Sequence, residues 1–139
     1  MIVRTAHAEQ TDKAGMPYIL HPMRVADSLR YSKQKTIALL HDVLEDTWVD
    51  EELLHRFFPD DVCNAVVTLT RKDGESYMEY IARIIESGDE DIIMVKIADL
   101  NDNMNLGRLE TVTDEDVERT KKYAKAKKRL KEYLDNKYL

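Results

Sequence analysis

The chain has 139 residues, which suits a single domain with a real hydrophobic core. Apolar residues make up 43% and charged residues 35%, with four glycines and three prolines, which argues for a helical protein over a β-rich or disordered one. A net charge of −6 argues against general nucleic-acid binding but leaves room for a small anionic substrate, because a bound metal and a few cations can dominate a pocket.

Residues 2–10 read as a first helix, with Ile2, Thr5, Ala6 and Glu9 at helical spacing. His7 on it is expected at the surface or half-buried. Residues 11–18, which include Lys13, form a loop because Gly15 and Pro17 break the pattern. Pro22 suits the first turn of the next helix and places His21 at a rigid helix start. A long helix then runs from an N-cap at Ser32 through Asp46. Ile37, Ala38, Leu39, Leu40, Val43 and Leu44 make it apolar nearly all round, as in a central, buried helix.

The end of that helix, Leu39-Leu40-His41-Asp42-Val43-Leu44-Glu45-Asp46-Thr47, carries the densest chemistry. A His-Asp pair offers a nitrogen and a hard oxygen to one metal ion. Neighbours on a helix point about 100° apart, so both can reach one ion only at a widened face or a helix end. Glu45 and Asp46 each lie one turn beyond His41 and Asp42 on the same faces. Such an arrangement suits metal-assisted hydrolysis, in which the metal lowers the pKa of a water and a carboxylate moves the proton. The same residues also read as a solvated acidic helix end with one histidine. Buried in so apolar a helix, however, they would be costly without a shared purpose.

Asp50 caps a short helix to Phe57, and Pro59 starts another through about Leu69, with Cys63 on its apolar side. As the single cysteine, Cys63 forms no intramolecular disulfide, which fits a reducing cytosol. Residues 77–87 form an amphipathic helix ended by Gly88. Residues 91–105 are β-branched enough for a buried strand, but Met94, Ala98 and Met104 extend the run into a buried helix. Lys96, Asp99 and Asn103 lie three and four apart on one face of it, as a site or as a buried Lys96–Asp99 ion pair. Asp114 caps a last helix from Glu115 to Tyr138, whose lysines form a solvated outer face. No signal peptide or membrane-length apolar run is present, so a cytoplasmic protein without membrane partners is expected.

His21, His41-Asp42 and Asp99 follow one another in the order His, His-Asp, Asp. That pattern resembles the HD superfamily of metal-dependent phosphohydrolases. Pro17-Tyr18-Ile19, His21-Pro22, Leu39 through Thr47, and Lys96-Ile97-Ala98-Asp99 with Asn103-Met104 are similar to the hydrolase domain of the RelA/SpoT enzymes and to stand-alone alarmone hydrolases. The resemblance implies an all-α HD-domain bundle of about seven or eight helices over residues 1–139. It implies one divalent ion, manganese in this family, on His21, His41, Asp42 and Asp99. Glu45 and Asp46 would activate the attacking water, and Lys13, Lys96 and Asn103 would line the nucleotide pocket. The implied reaction removes the 3′ pyrophosphate of guanosine tetra- or pentaphosphate, ppGpp or pppGpp. The alternatives are hydrolysis of another nucleotide, as by a 5′-nucleotidase or an NADPH phosphatase, and nucleotide binding without catalysis. Asp12 stands where the family usually carries a basic residue.

Overall fold

The computed structural model describes residues 2–137, so Tyr138 lies outside the described residues. Nine α-helices follow in order among those residues: α1 (Ile2–Ala6), α2 (Leu20–Asp27), α3 (Ser32–Leu40), α4 (Val43–Asp46), α5 (Glu51–Phe57), α6 (Asp60–Thr68), α7 (Tyr77–Glu86), α8 (Glu90–Asn103) and α9 (Asp114–Lys137). α1 and α4 are single short turns, leaving seven longer helices of the expected kind. The described residues contain no strand, only an isolated bridge between Thr11 and Pro17 in the loop after α1. No helix among them is long and apolar enough to cross a membrane.

α2, α3 and α8 pack on one another, and α9 covers α8. Val25, Ile37, Leu40, Ile93 and Leu100 are fully enclosed where they meet. Each such side chain contributes roughly 1.5–3 kcal/mol by leaving water. α8 is buried nearly all round, which explains its almost continuous apolar run and settles Ile92–Ile97 as helix. Asp89 starts it by accepting from the backbone N–H groups of Asp91 and Ile92. Gly88, at φ +63°, supplies the left-handed residue that ends α7.

Several boundaries differ from the periodicity. The first helix stops at Ala6 instead of Gln10 and continues as turns. Tyr31, not Ser32, holds the N-cap position of α3, in extended conformation and without a side-chain bond. The expected helix 32–46 is broken at His41 and Asp42. The last helix is capped one residue earlier than Asp114: Thr113 Oγ1 accepts from the Asp116 N–H, and Asp116 Oδ2 from the Thr113 N–H, a capping box. Asp50 caps α5 as expected.

Arg83 on α7 clamps the turn after α6. It makes two bonds to the Glu75 carboxylate, at 2.8 and 3.1 Å, and bonds the carbonyls of Thr68 and Thr70 at 3.0 Å each. The Arg83 guanidinium pulls the Glu75 pKa down to about 2. A carboxyl held below its unfolded pKa of about 4.3 stabilises the fold fully above that value and less as pH falls towards 2. Glu75→Gln is therefore expected to lower Tm by a few degrees at pH 7. The deficit should shrink as melting is repeated from pH 5 down to pH 2; a deficit that stayed constant with pH would contradict this.

Candidate functional site

The break between α3 and α4 decides the geometry. His41 is the C-cap of α3, and Asp42 is the N-cap of α4 with φ −104° and ψ −2°. Leaving the helix turns the Asp42 carboxylate towards its neighbour, so that His41 Nε2 stands 3.1 Å from Asp42 Oδ2. α8 supplies Asp99, whose Oδ1 is 3.0 Å from His41 Nε2 and 2.8 Å from His21 Nε2. α2 supplies His21, whose Nε2 is also 4.0 Å from Asp42 Oδ2. Ligand atoms of His21, His41 and Asp42 all lie within 4.8 Å of one another.

The other ring nitrogens show what this cluster requires. His41 Nδ1 lies 2.5 Å from the Ala38 carbonyl, which can only accept, so that nitrogen carries the proton. His21 Nδ1 lies 2.6 Å from Asp102 Oδ2, and Arg24 grips the same carboxylate at 2.9 and 3.1 Å. Burial raises the Asp102 pKa, but bonds from Arg24 and His21 more than reverse it, so Asp102 is ionised and His21 Nδ1 donates. If neutral, both imidazoles therefore aim an Nε2 lone pair at one carboxylate oxygen. Close approach of three acceptors calls for positive charge among them, either two extra protons or one cation. Nitrogen and oxygen donors of this kind suit manganese, iron or zinc. The remaining bonds agree: burial alone would lower the His41 pKa, yet Asp42 and Asp99 hold it well above the usual value. Burial would raise Asp99, yet Lys96 and His41 hold it well below.

His21, Asp42 and Asp99 of this cluster line a cleft of about 550 Å³, while His41 is buried beside them. Glu45 and Asp46 line it from α4, and Lys13 from the loop after α1. Burial comes first in raising both α4 carboxyls; Asp46 and Asp42 add to it for Glu45, and Asp42 for Asp46. Lys96 is buried and commits its ammonium to Asp99 Oδ2 at 2.9 Å, so the expected ion pair is present and also faces the cleft. Asn103 Nδ2 donates to Asp99 Oδ1 at 3.2 Å. Lys13 is 59% exposed and donates to Asp116 Oδ1 at 2.8 Å.

The motif gave no role to several neighbours of the cluster. Tyr18 donates its hydroxyl to Asp42 Oδ2. Asp102 follows Asp99 by three, and Arg24 follows His21 by three, spacings that could have flagged both. His7 is fully buried, at 2% exposure, instead of at the surface or half-buried. Its Nδ1 donates to Gln10 Oε1 at 2.6 Å, and Gln10 Nε2 donates to the Asp46 carbonyl at 2.7 Å, bracing α4. Asp12 Oδ1 accepts from the N–H groups of Ala14 and Met16, at 2.9 and 3.0 Å, so this acid organises its own loop.

No family model matches the chain. It is 36% identical over 123 aligned residues to the guanosine-3′,5′-bis(diphosphate) 3′-pyrophosphohydrolase of Haemophilus influenzae, covering 78% of this chain and 18% of that protein. It is 35% identical to the bifunctional (p)ppGpp synthase/hydrolase SpoT of Escherichia coli, with the same coverage. The chain thus spans less than a fifth of the length of these curated relatives. A solved structure described as a metazoan SpoT orthologue that hydrolyses ppGpp superposes with a TM-score of 0.75 at 25% identity, over 97% of this chain and 88% of that one.

The cluster makes a direct prediction. Manganese at roughly a hundred times its Kd should raise Tm by about 10 °C, and excess chelator should remove the gain. Asp42→Ala should melt at one temperature with or without manganese. An unaltered wild-type melting temperature on adding manganese, zinc or ferrous ion would exclude a metal centre.

Proposed function

The chain is a relative of the SpoT-type (p)ppGpp hydrolases, and we propose that it is a metal-dependent phosphohydrolase that removes the 3′ pyrophosphate of ppGpp or pppGpp. The observation that carries this reading is the convergence of His21, His41, Asp42 and Asp99 at an open cleft that Glu45 and Asp46 also line. A nucleotide substrate and the single unpaired Cys63 fit a cytoplasmic protein.

In this reading His21, His41, Asp42 and Asp99 hold one divalent ion, manganese being our assignment. When bound, the ion supplies positive charge that acidifies water and offsets the charge of phosphoryl oxygens. Arg24 and Asp102 fix the His21 ring, the Ala38 carbonyl fixes the His41 ring, and Tyr18 fixes Asp42, which keeps the ligand atoms oriented. Lys96 and Asn103 keep Asp99 ionised and in place. Water adds to the phosphorus on the ribose 3′ oxygen, the bond from that phosphorus to the oxygen breaks, and the oxygen recovers a proton as pyrophosphate leaves. Glu45 and Asp46 take the proton from the water and return it to the 3′ oxygen. Lys13, at the rim, contacts the nucleotide with the ammonium hydrogens that Asp116 leaves free.

Two measurements test this. With ppGpp and manganese, pyrophosphate should be released; orthophosphate alone would mean a different phosphohydrolase. Glu45→Gln and Asp46→Asn should keep metal content and substrate binding while kcat falls roughly 100-fold, the scale of a lost acid–base group. Asp99→Asn should lose metal and turnover together. Near wild-type turnover in the Glu45 and Asp46 variants would reduce these residues to a structural helix end.

A further inference from the structure

His7 is enclosed in the turn that follows α1, and its two ring nitrogens fare differently. Nδ1 donates to Gln10 Oε1 at 2.6 Å. Nε2 is buried without a hydrogen-bond partner among the described residues. Enclosing an unpaired acceptor costs free energy that an apolar side chain of similar size would not. An imidazole here is therefore a poor choice for packing alone, and its use lies in what Nδ1 and the ring face hold.

Residues 7, 10 and 18 form one base. The Gln10 N–H donates to the His7 carbonyl at 3.1 Å, and the Tyr18 N–H to the Gln10 carbonyl at 2.8 Å. The His7 ring packs on the Tyr18 ring, with centroids 4.8 Å apart and planes tilted by 44°. Two arms leave this base and grip opposite ends of α4. Tyr18 donates its hydroxyl to Asp42, the N-cap of that helix. Gln10 Nε2 donates to the carbonyl of Asp46, its last residue, at 2.7 Å. His7 sets both arms. Its ring face backs Tyr18, and its Nδ1–H engages Gln10 Oε1, which leaves the amide N–H of Gln10 turned to α4. A helix of four residues has little stability of its own, so what holds its ends decides where its side chains point.

Building on the function proposed above, we propose that His7 is a positioning residue for hydrolysis. It acts through Tyr18 and Gln10, which hold α4 at both ends, and so fixes the placement of Glu45 and Asp46 relative to Asp42. Proton transfer needs a carboxylate within hydrogen-bond reach of the water, so a loosened α4 leaves metal and nucleotide bound but slows the reaction itself.

The test is steady-state kinetics with ppGpp and manganese on His7→Leu and Gln10→Met, which keep apolar volume and delete the Gln10 bridge. In each, kcat should fall roughly tenfold while KM stays near the wild-type value. The double variant should lose no more than either single one, because both break the same path. His7→Asn, whose amide N–H can stand in for Nδ1–H, should recover most of the rate. Wild-type kcat in His7→Leu, single losses that multiply in the double variant, or a His7→Asn as slow as His7→Leu would overturn the positioning role while leaving the function standing. If the wild type does not hydrolyse ppGpp, the function falls, and amide hydrogen exchange decides whether His7 holds α4. The Asp46 and Thr47 N–H groups close that helix on the Asp42 and Val43 carbonyls, at 3.0 and 3.2 Å. Their exchange should quicken roughly tenfold in His7→Leu and Gln10→Met but not in His7→Asn. Exchange at the wild-type rate in both of the first two variants would overturn the proposal.

Discussion

One buried carboxylate oxygen organises this molecule. Asp99 Oδ1 meets His21 from α2, His41 from the end of α3 and Asn103 from its own helix, while Oδ2 holds Lys96. A charge so enclosed is tolerated only if its neighbours complement it closely. The requirement propagates outwards. Each histidine is set by its second nitrogen, and Asp102, which sets His21, is itself held by Arg24 and Arg108. The helices therefore cannot slide past one another without separating charges, and their apolar contacts and polar floor demand the same register.

The interrupted helix is the local device that makes this possible. A continuous helix from residue 32 to 46 would bury the same leucines but would turn His41 and Asp42 apart. Breaking it costs intrahelical hydrogen bonds, and the structure recovers some at once: the Asp42 carbonyl starts α4 by accepting from the Asp46 N–H at 3.0 Å, and at the far end Thr47 donates its N–H and its hydroxyl to the Val43 carbonyl, at 3.2 and 2.5 Å. Gln10 then ties the last turn to the segment after α1, so the two carboxylates of α4 project from a short element held at both ends.

Much of this was legible in the chain, and the parts that were not have a common cause. Periodicity located the long helices, and the spacing of Lys96, Asp99 and Asn103 identified one face of α8 because it depends only on local geometry. The position of the break at His41 was invisible, although a His-Asp pair on one ion had called for a widened face or a helix end, since the reason to stop lies on α2 and α8. The burial of His7 was likewise invisible: its only cue is a glutamine three residues on, whose other hydrogen bond reaches a carbonyl 36 residues away. The pairing of Lys13 with Asp116 spans 103 residues, beyond any pattern in the sequence. Asp12 shows the converse, a substitution conspicuous in the motif whose carboxylate binds its own turn at the edge of the cleft.

The long separations within the floor of the cleft bear on how the molecule assembles. The two histidines meet Asp99 across 78 and 58 residues, and His21 meets Asp102 across 81. Local turns of helix form early and independently, whereas contacts of this span require large loops to close first. The ionic centre therefore exists only once the middle and late parts of the chain have returned to the first long helix. Before that point, the histidines and carboxylates are scattered along separate helices and remain hydrated. Occupancy of the centre would consequently report completed folding, and a ligand there would slow unfolding by fastening together segments that are distant along the chain.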